Sequence, residues 1–333
     1  MLRVGLNPYG LTYWLGLQGS GTPRANPDGR GLDGEIEIAR ELGARSIEIH
    51  NAWLTPMPDA ELVQVRDRLA ALDLQPVISF SLPAEQPETA ARHAVALGAN
   101  VIRTHLSSVL CGDRAAQGDR WPQLVADARA ALGRLAGAAA QAGVQVGIEN
   151  HQDFGSGELL AFCEEAGPNV GVVLDTGNAF PVAEAPLDFA RRVAHRVVHV
   201  HLKDYRVQFT DEGYRLVRCA IGDGAVPFVE IAALLAEHHE TLTASLEPGA
   251  LESRHVRLFT PGWWNGYPPM AAADLGACLG AARRNMHADD DDVRTPWERQ
   301  DDGETLIRYE LDMIRRSAQN MRSIGLMTPG ASR

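Results

Sequence analysis

The chain is 333 residues long and 45% hydrophobic, enough to bury the core of one large α/β domain or of two modest ones. With 31 basic against 43 acidic residues its net charge is −12, which argues against a duplex-binding protein, since those present a basic face. Cys111, Cys163, Cys219 and Cys278 stand more than 50 residues apart, so no CxxC zinc ribbon or thioredoxin motif can form and they read as ordinary buried thiols.

The N-terminus, MLRVGLNPYG, lacks the charged-then-apolar profile of a secretory signal, and no apolar run approaches the ~20 residues that span a bilayer. A cytoplasmic protein without membrane contact is expected. Short apolar runs then alternate with helical patterns. The predicted strands are 3–7, 46–50, 75–81, 100–106, 144–150, 170–176, 197–203 and 241–247. Between them lie segments of helical spacing, such as DGEIEIARELGA, DAELVQVRDRLAAL and WPQLVADARAALGRLAGAAAQAG. Gly43, Gly98 and Gly143 follow such segments as C-caps should. Strands that alternate with helices imply parallel βαβ units. Eight units, closed by a helix over 303–325, predict one (β/α)8 barrel spanning 1–333. The excess over the roughly 250 residues of a plain barrel falls in two insertions, 8–31 after strand one and 248–302 after strand eight. Those strands are neighbours in a closed barrel, so both insertions rise over the same side of its mouth. The competing fold, a doubly wound sheet, wants GxGxxG after its first strand, and GSG at 19–21 lacks that spacing.

Strand parity gives the barrel an inside. In 241–247, Leu242, Ala244 and Leu246 share one face, and Thr243, Ser245 and Glu247 the other. In the fifth strand Val144, Val146 and Ile148 oppose Gly147, Glu149 and His151. In the second, Ile47 and Ile49 oppose Glu48 and His50. The apolar face packs on the helices and the polar face points inward. Its last members lie at the C-terminal ends of strands, where barrel enzymes keep their sites. Among them Glu149, Asp175, His201 and Glu247 supply three carboxylates and one imidazole. That mixed oxygen and nitrogen set suits one divalent ion, with Mn2+ expected first and Mg2+, Zn2+ or Co2+ fitting the same donors. A cation also removes the repulsion among three adjacent carboxylates.

The segments GIENH, VVLDTGN, HVHLKD and SLEPG resemble the xylose-isomerase-like TIM-barrel superfamily of sugar isomerases and epimerases. That superfamily also holds inosose dehydratases, C-glycoside deglycosidase large subunits and endonuclease IV. The resemblance covers about 1–250 and places the metal on Glu149, Asp175, His201 and Glu247. In the family's ketose epimerases the two glutamates also serve as acid and base across an enediolate, which here implies Glu149 and Glu247. Proton abstraction beside a carbonyl needs a base within ~3 Å and a Lewis acid on the oxygen, whatever the family.

This chain departs from the family in places. DTGN replaces the common DTGH, so Asn178 stands where a histidine contacts substrate in epimerases. Strand three ends SFSL without endonuclease IV's histidine, and GDG at 222–224 is not followed by its DxH pair. A three-zinc nuclease and a nucleic-acid partner are therefore not expected. His151 shares the inward face of Glu149, as a general acid or base or as a residue orienting a ligand. His105 and Arg206, the latter in the loop beyond strand seven, are candidates for substrate contact. Lys203 either reaches a substrate oxygen or pairs with an acidic neighbour; the second is favoured. His199 is expected to be a hydrogen-bonded core residue. Tyr13, Trp14 and Trp263, with Tyr9, Trp264 and Tyr267, fall in the insertions and suit stacking on a sugar or aryl group, or else pack the insertions onto the rim.

The leading expectation is a metal-dependent isomerase or epimerase of a small sugar or keto-sugar. The alternative is a lyase, a keto-sugar dehydratase or the large subunit of a 3-oxo-glycoside C-deglycosidase, which the resemblance would pair with a small β-rich partner subunit. A sugar-binding protein without turnover is a third reading. The exposed aromatic insertions leave a homo-oligomer open.

Overall fold

The computed structural model describes residues 2–82, 86–249 and 251–328. Its strands, in chain order, are β1 (Leu2–Leu6), β2 (Ser46–His50), β3 (Gln75–Ser79), β4 (Val101–Thr104), β5 (Gln145–Glu149), β6 (Val170–Asp175), β7 (Val197–Leu202), β8 (Tyr205–Thr210), β9 (Gly213–Arg218), β10 (Leu242–Leu246) and β11 (Arg254–Val256). Eight of them close into a barrel in the order β1-β10-β7-β6-β5-β4-β3-β2, with helices following the strands around it. The pairs are parallel, as in Leu2↔Leu242 through Leu6↔Leu246 between β1 and β10. This is the (β/α)8 barrel that the repeat predicts. The closing helix expected over 303–325 runs Gly303–Ser323, and its N-cap Asp302 accepts from the Thr305 amide at 2.8 Å. Among the described residues, no helix is long and apolar enough to cross a membrane.

The parity argument accounts for the two sides of the wall. Ile47, Ile49, Val146, Ile148, Ala244 and Leu246 are buried in the apolar layer against the helices. The barrel interior is polar instead. His199 bonds Thr243 Oγ1 at 2.7 Å and Ser245 Oγ at 3.2 Å, as a hydrogen-bonded core histidine should.

Both expected insertions are present, and there is a third. After β7 the chain forms the hairpin β8–β9, which β11 joins as a three-stranded antiparallel sheet. The segment YRVQFTDEGYRLVR alternates apolar and polar residues about an Asp-Glu-Gly turn, a hairpin pattern that a β/α repeat passes over as loop. Arg206 is therefore a strand residue and not a loop residue.

The insertions are fastened by buried charges. Glu310, on the last helix, accepts from Thr12 Oγ1 (3.0 Å), the Tyr13 amide (3.0 Å) and the Trp14 amide (2.8 Å). Arg114 is buried, donates to the Asp153 and Gly266 carbonyls at 2.7 and 2.8 Å, and lies 3.9 Å from the Tyr267 ring centroid. Gly112, at φ +65°, lets the second insertion dock. A Cβ there would meet the Pro181 carbonyl at 2.1 Å and the Tyr267 hydroxyl at 2.5 Å.

Candidate metal centre

β5, β6, β7 and β10 are consecutive around the barrel, so the residues at their C-terminal ends converge. Ligand atoms of Glu149, Asp175, His201 and Glu247 lie within 4.8 Å of one another, and the four residues are buried. His201 Nδ1 stands 2.8 Å from Glu247 Oε2 and 3.4 Å from Glu149 Oε1. Yet neither His201 Nδ1 nor Glu247 Oε2 makes a hydrogen bond. Buried, unbonded lone-pair atoms aimed at a common point are what a cation needs.

The other nitrogen of His201 is taken. Nε2 lies 2.6 Å from Glu48 Oε2, and His199 Nε2 is 3.3 Å from the same oxygen. Glu48, His199 and His201 form a second group of potential ligands. The geometry gives that group a supporting role. A histidine that ligates through Nδ1 commonly donates Nε2–H to a carboxylate, which fixes its tautomer and ring orientation. Asn178 supports the carboxylates in the same way. Its Nδ2 donates to Asp175 Oδ2 at 2.8 Å and Glu149 Oε1 at 3.4 Å, and its amide to Asp175 Oδ1 at 3.0 Å.

Two fixed cations complete the layer. Arg103 pairs with Glu149 and stands 3.9 Å from Glu48. Lys203 Nζ bridges Asp175 Oδ2 at 2.5 Å and Glu247 Oε1 at 2.6 Å, the acidic pairing favoured for it from the sequence. Four buried carboxylates against one Arg and one Lys leave two negative charges when the imidazoles are neutral. One divalent ion balances them.

Burial and neighbours shift these groups in opposite directions. Burial works against a charge on His201, but Glu48 and Glu247 outweigh it and lift the imidazole to about 9. Burial opposes ionisation of Glu247 as well, but Lys203 and His201 outweigh it and hold the carboxyl at about 2. Burial raises Asp175 above the usual carboxylate range, against the pull of Lys203.

A cavity of about 390 Å³ opens over this layer, lined in part by Tyr9, Arg103, His105, His151, Lys203 and Glu247. His105 and His151 stack with centroids 4.6 Å apart. Burial, with Arg103 adding to it, brings His105 down to about 3. Burial drives His151 well below its usual value too, with His105 and Arg103 contributing. His151 Nδ1 is buried without a hydrogen bond.

Other residues singled out from the sequence lie elsewhere. Asn178 is fully buried against Asp175 and Glu149 and does not line the cavity. Arg206 turns away, donating to the Asn285 carbonyl at 2.9 Å. Tyr13 is buried with Leu251 and Leu306, Trp14 packs on the main core with Arg30 over its ring, and Trp263 stacks on Tyr267 at 4.6 Å and donates to the Cys111 carbonyl. These three rings fasten the insertions to the rim and do not line the cavity. Arg103, Gln18, Glu252 and Arg254 do line it, and sequence reasoning missed them. Arg103 was accessible by parity, since it precedes the inward His105 by two in its strand. Gln18 and Glu252 sit in irregular parts of the insertions, and Arg254 opens β11, a three-residue strand too short to show a period.

Comparison with known proteins agrees with this geometry. The chain is 26% identical over 235 residues to the 3-oxo-isoapionate decarboxylase of Pectobacterium atrosepticum, covering 68% of this chain and 78% of that one. It is 24% identical over 225 residues to the inosose dehydratase of Clostridium botulinum, covering 61% and 69%. A solved D-psicose 3-epimerase superposes with a TM-score of 0.56 over 88% of this chain and 93% of its own, at 18% identity, and so shares the fold. Residues 36–257, two thirds of the chain, match the family described as xylose isomerase-like TIM barrel. That stretch holds seven of the barrel strands and all four convergent donors, and the chain belongs to the xylose isomerase-like TIM barrel family.

Proposed function

We propose that this chain is a divalent-metal-dependent enzyme that forms an electron pair next to the carbonyl of a small keto-sugar. The convergence of Glu149, Asp175, His201 and Glu247 beneath a polar cavity carries that reading. Decarboxylation of a 3-oxo acid, dehydration beside a ketone and epimerisation at C3 of a ketose share one demand: charge developing on an enolate oxygen must be stabilised. When bound, a divalent ion supplies Lewis acidity toward that oxygen. Lys203 pairs with both Asp175 and Glu247 and keeps Glu247 ionised. Glu247 faces the cavity as a carboxylate able to take the substrate proton. His151, neutral and with an unbonded nitrogen, is placed to accept or relay it.

Epimerisation or isomerisation, the first expectation, needs a working acid or base on each face of the sugar, Glu149 and Glu247. One observation favours the lyase alternative. Glu247 and His151 line the cavity, whereas Glu149 is paired with Arg103 and does not, which leaves Glu247 with His151 as the side that meets substrate. A one-sided site suits loss of a substituent from the carbon beside the enolate.

The test is a manganese-supplemented screen of ketoses, 3-keto-glycosides and keto-inositols in D2O, read by NMR. Deuterium at a substrate carbon, or release of a substituent, is expected, and Glu247→Gln should abolish it. Retained turnover in Glu247→Gln, or full activity after exhaustive chelation, would overturn the proposal. A new epimer would favour the first outcome and a released water or aglycone the second.

A further inference from the structure

Among the described residues the cavity over the donors is lined by three cationic residues, and they are not equivalent. Arg103 is committed to Glu149, and Lys203 to Asp175 and Glu247. Arg254 has no such commitment. It opens β11, in the insertion that follows the last barrel strand, and its backbone is held by pairing with Leu216 of β9. Arg254 lines the cavity, half-buried, and among the described residues its side chain makes neither an ion pair nor a hydrogen bond. Glu252, the acidic residue nearest in sequence, instead accepts from Gln18 Nε2 at 2.8 Å. An arginine fixed by its backbone on a small sheet, facing an enclosed polar space with its five donors free, is built to receive an anion.

Gln152 adds to the same wall. It holds φ at +77°, a strained conformation for a side chain other than glycine. Its Oε1 is taken by the Cys111 amide at 3.0 Å, so only its Nε2 donors are left for the cavity. The upper wall thus offers the donors of Arg254 and Gln152 beside Glu252, which is held by Gln18, while the floor offers the Glu247 carboxylate.

We propose that the substrate of this site is a keto-sugar acid, with its carboxylate on Arg254 and its keto-alcohol end over Glu149, Asp175, His201 and Glu247. This rests on the function proposed above and adds the class of substrate. A carboxylate matches one guanidinium in a two-pronged pair. A phosphate ester asks for more donors, and among the described residues no glycine-rich backbone cradle faces this cavity. Arg254 also explains how a site with so many carboxylates admits an acid: among the described residues its charge is the cavity's one uncommitted cation.

Binding calorimetry on the full-length protein tests this without turnover. Manganese is titrated first; a chain that takes up no ion fails the proposed function itself. The loaded protein is then titrated with 5-keto-D-gluconate, 2-keto-D-gluconate, D-fructose and D-fructose 6-phosphate. At least one keto acid should bind about ten-fold or more tightly than D-fructose. Arg254→Gln should remove that preference while leaving affinity for D-fructose and for manganese unchanged, and Arg254→Lys should restore part of it. Because the guanidinium makes neither an ion pair nor a side-chain hydrogen bond among the described residues, both variants should keep the wild-type melting temperature. Four results would overturn the inference in a protein that takes up manganese: no keto acid bound at millimolar concentration, equal binding of keto acids and D-fructose, tightest binding of the phosphate ester, or a keto-acid preference that survives Arg254→Gln.

Discussion

Glu48 and His201 meet at 2.6 Å through Nε2, and that contact leaves Nδ1 of His201 facing Glu149 and Glu247. Glu48 touches neither the cavity nor the convergence point of the donors. Its removal should nonetheless weaken manganese binding by roughly 10–100-fold, because the imidazole loses its orientation and its tautomer. Competition of Glu48→Ala against a chromophoric chelator measures this. Unchanged affinity would mean that the barrel wall alone holds the ring.

Lys203 lies between Asp175 and Glu247, so Lys203→Met leaves two buried carboxylates facing each other. Breaking such a pair costs about 3–5 kcal/mol. Manganese should then stabilise the variant more than it stabilises the wild type, since the ion relieves a larger repulsion. Urea unfolding of both proteins with and without manganese checks the ordering. Equal stabilisation would mean the lysine and the ion do not share the same charge.

Metal loading itself should be visible in the melting temperature. At a free concentration a hundred times the dissociation constant, a ligand of the native state adds about 2.7 kcal/mol, or roughly 4 °C for a chain of this length. Scanning calorimetry should show that rise in the wild type and its loss in Asp175→Asn. A full rise in the variant would remove Asp175 from the ligand set.

Asp153 is fully buried and accepts from Ser107 Oγ at 2.7 Å. Burial lifts its carboxyl to about 7, against the Ser107 bond and the charge of Arg114. The folded chain therefore holds a proton that the unfolded chain releases near ~4. The stability this group contributes is complete below that value and is lost as pH rises toward 7, because the native state binds more protons across the window. Urea melts should show wild type losing a few kcal/mol more than Asp153→Asn between about pH 4 and 7. Parallel profiles would show that Asp153 is ionised throughout.

Glu310 satisfies two consecutive loop amides and the Thr12 hydroxyl. Glu310→Ala should speed hydrogen exchange at the Tyr13 and Trp14 amides and destabilise the fold by about 2–4 kcal/mol. Exchange mass spectrometry over 8–31 reads the first effect. Protection equal to wild type would mean the loop is held by its aromatic packing alone.

Much of the centre was legible because it obeys a period. Glu149, Asp175, His201 and Glu247 end strands whose alternation can be counted, and the barrel brings such ends together. The same count reaches Arg103, two before His105, but it cannot say that this arginine pairs with Glu149 on the next strand. The aromatic insertions misled for a physical reason. A tryptophan can stack on a ligand or fill a rim, and composition does not separate the two. Trp263 fills the rim, beside a glycine that leaves it room. The hairpin β8–β9 was written plainly in its alternation; the regular β/α rhythm on either side obscured it. Arg254 had no signal at all, since its meaning comes from the absence of a partner.

The grip of Glu310 on Thr12, Tyr13 and Trp14 ties the first loop of the chain to its last helix. Synthesis is vectorial, so the segment at 8–31 leaves the ribosome long before residue 310 exists to hold it. β1 likewise waits for β10 to close the ring. The wall beside the cavity is thus finished only as the C-terminal helix docks, and a nascent or C-terminally clipped chain would display its acidic cluster through an unfinished rim.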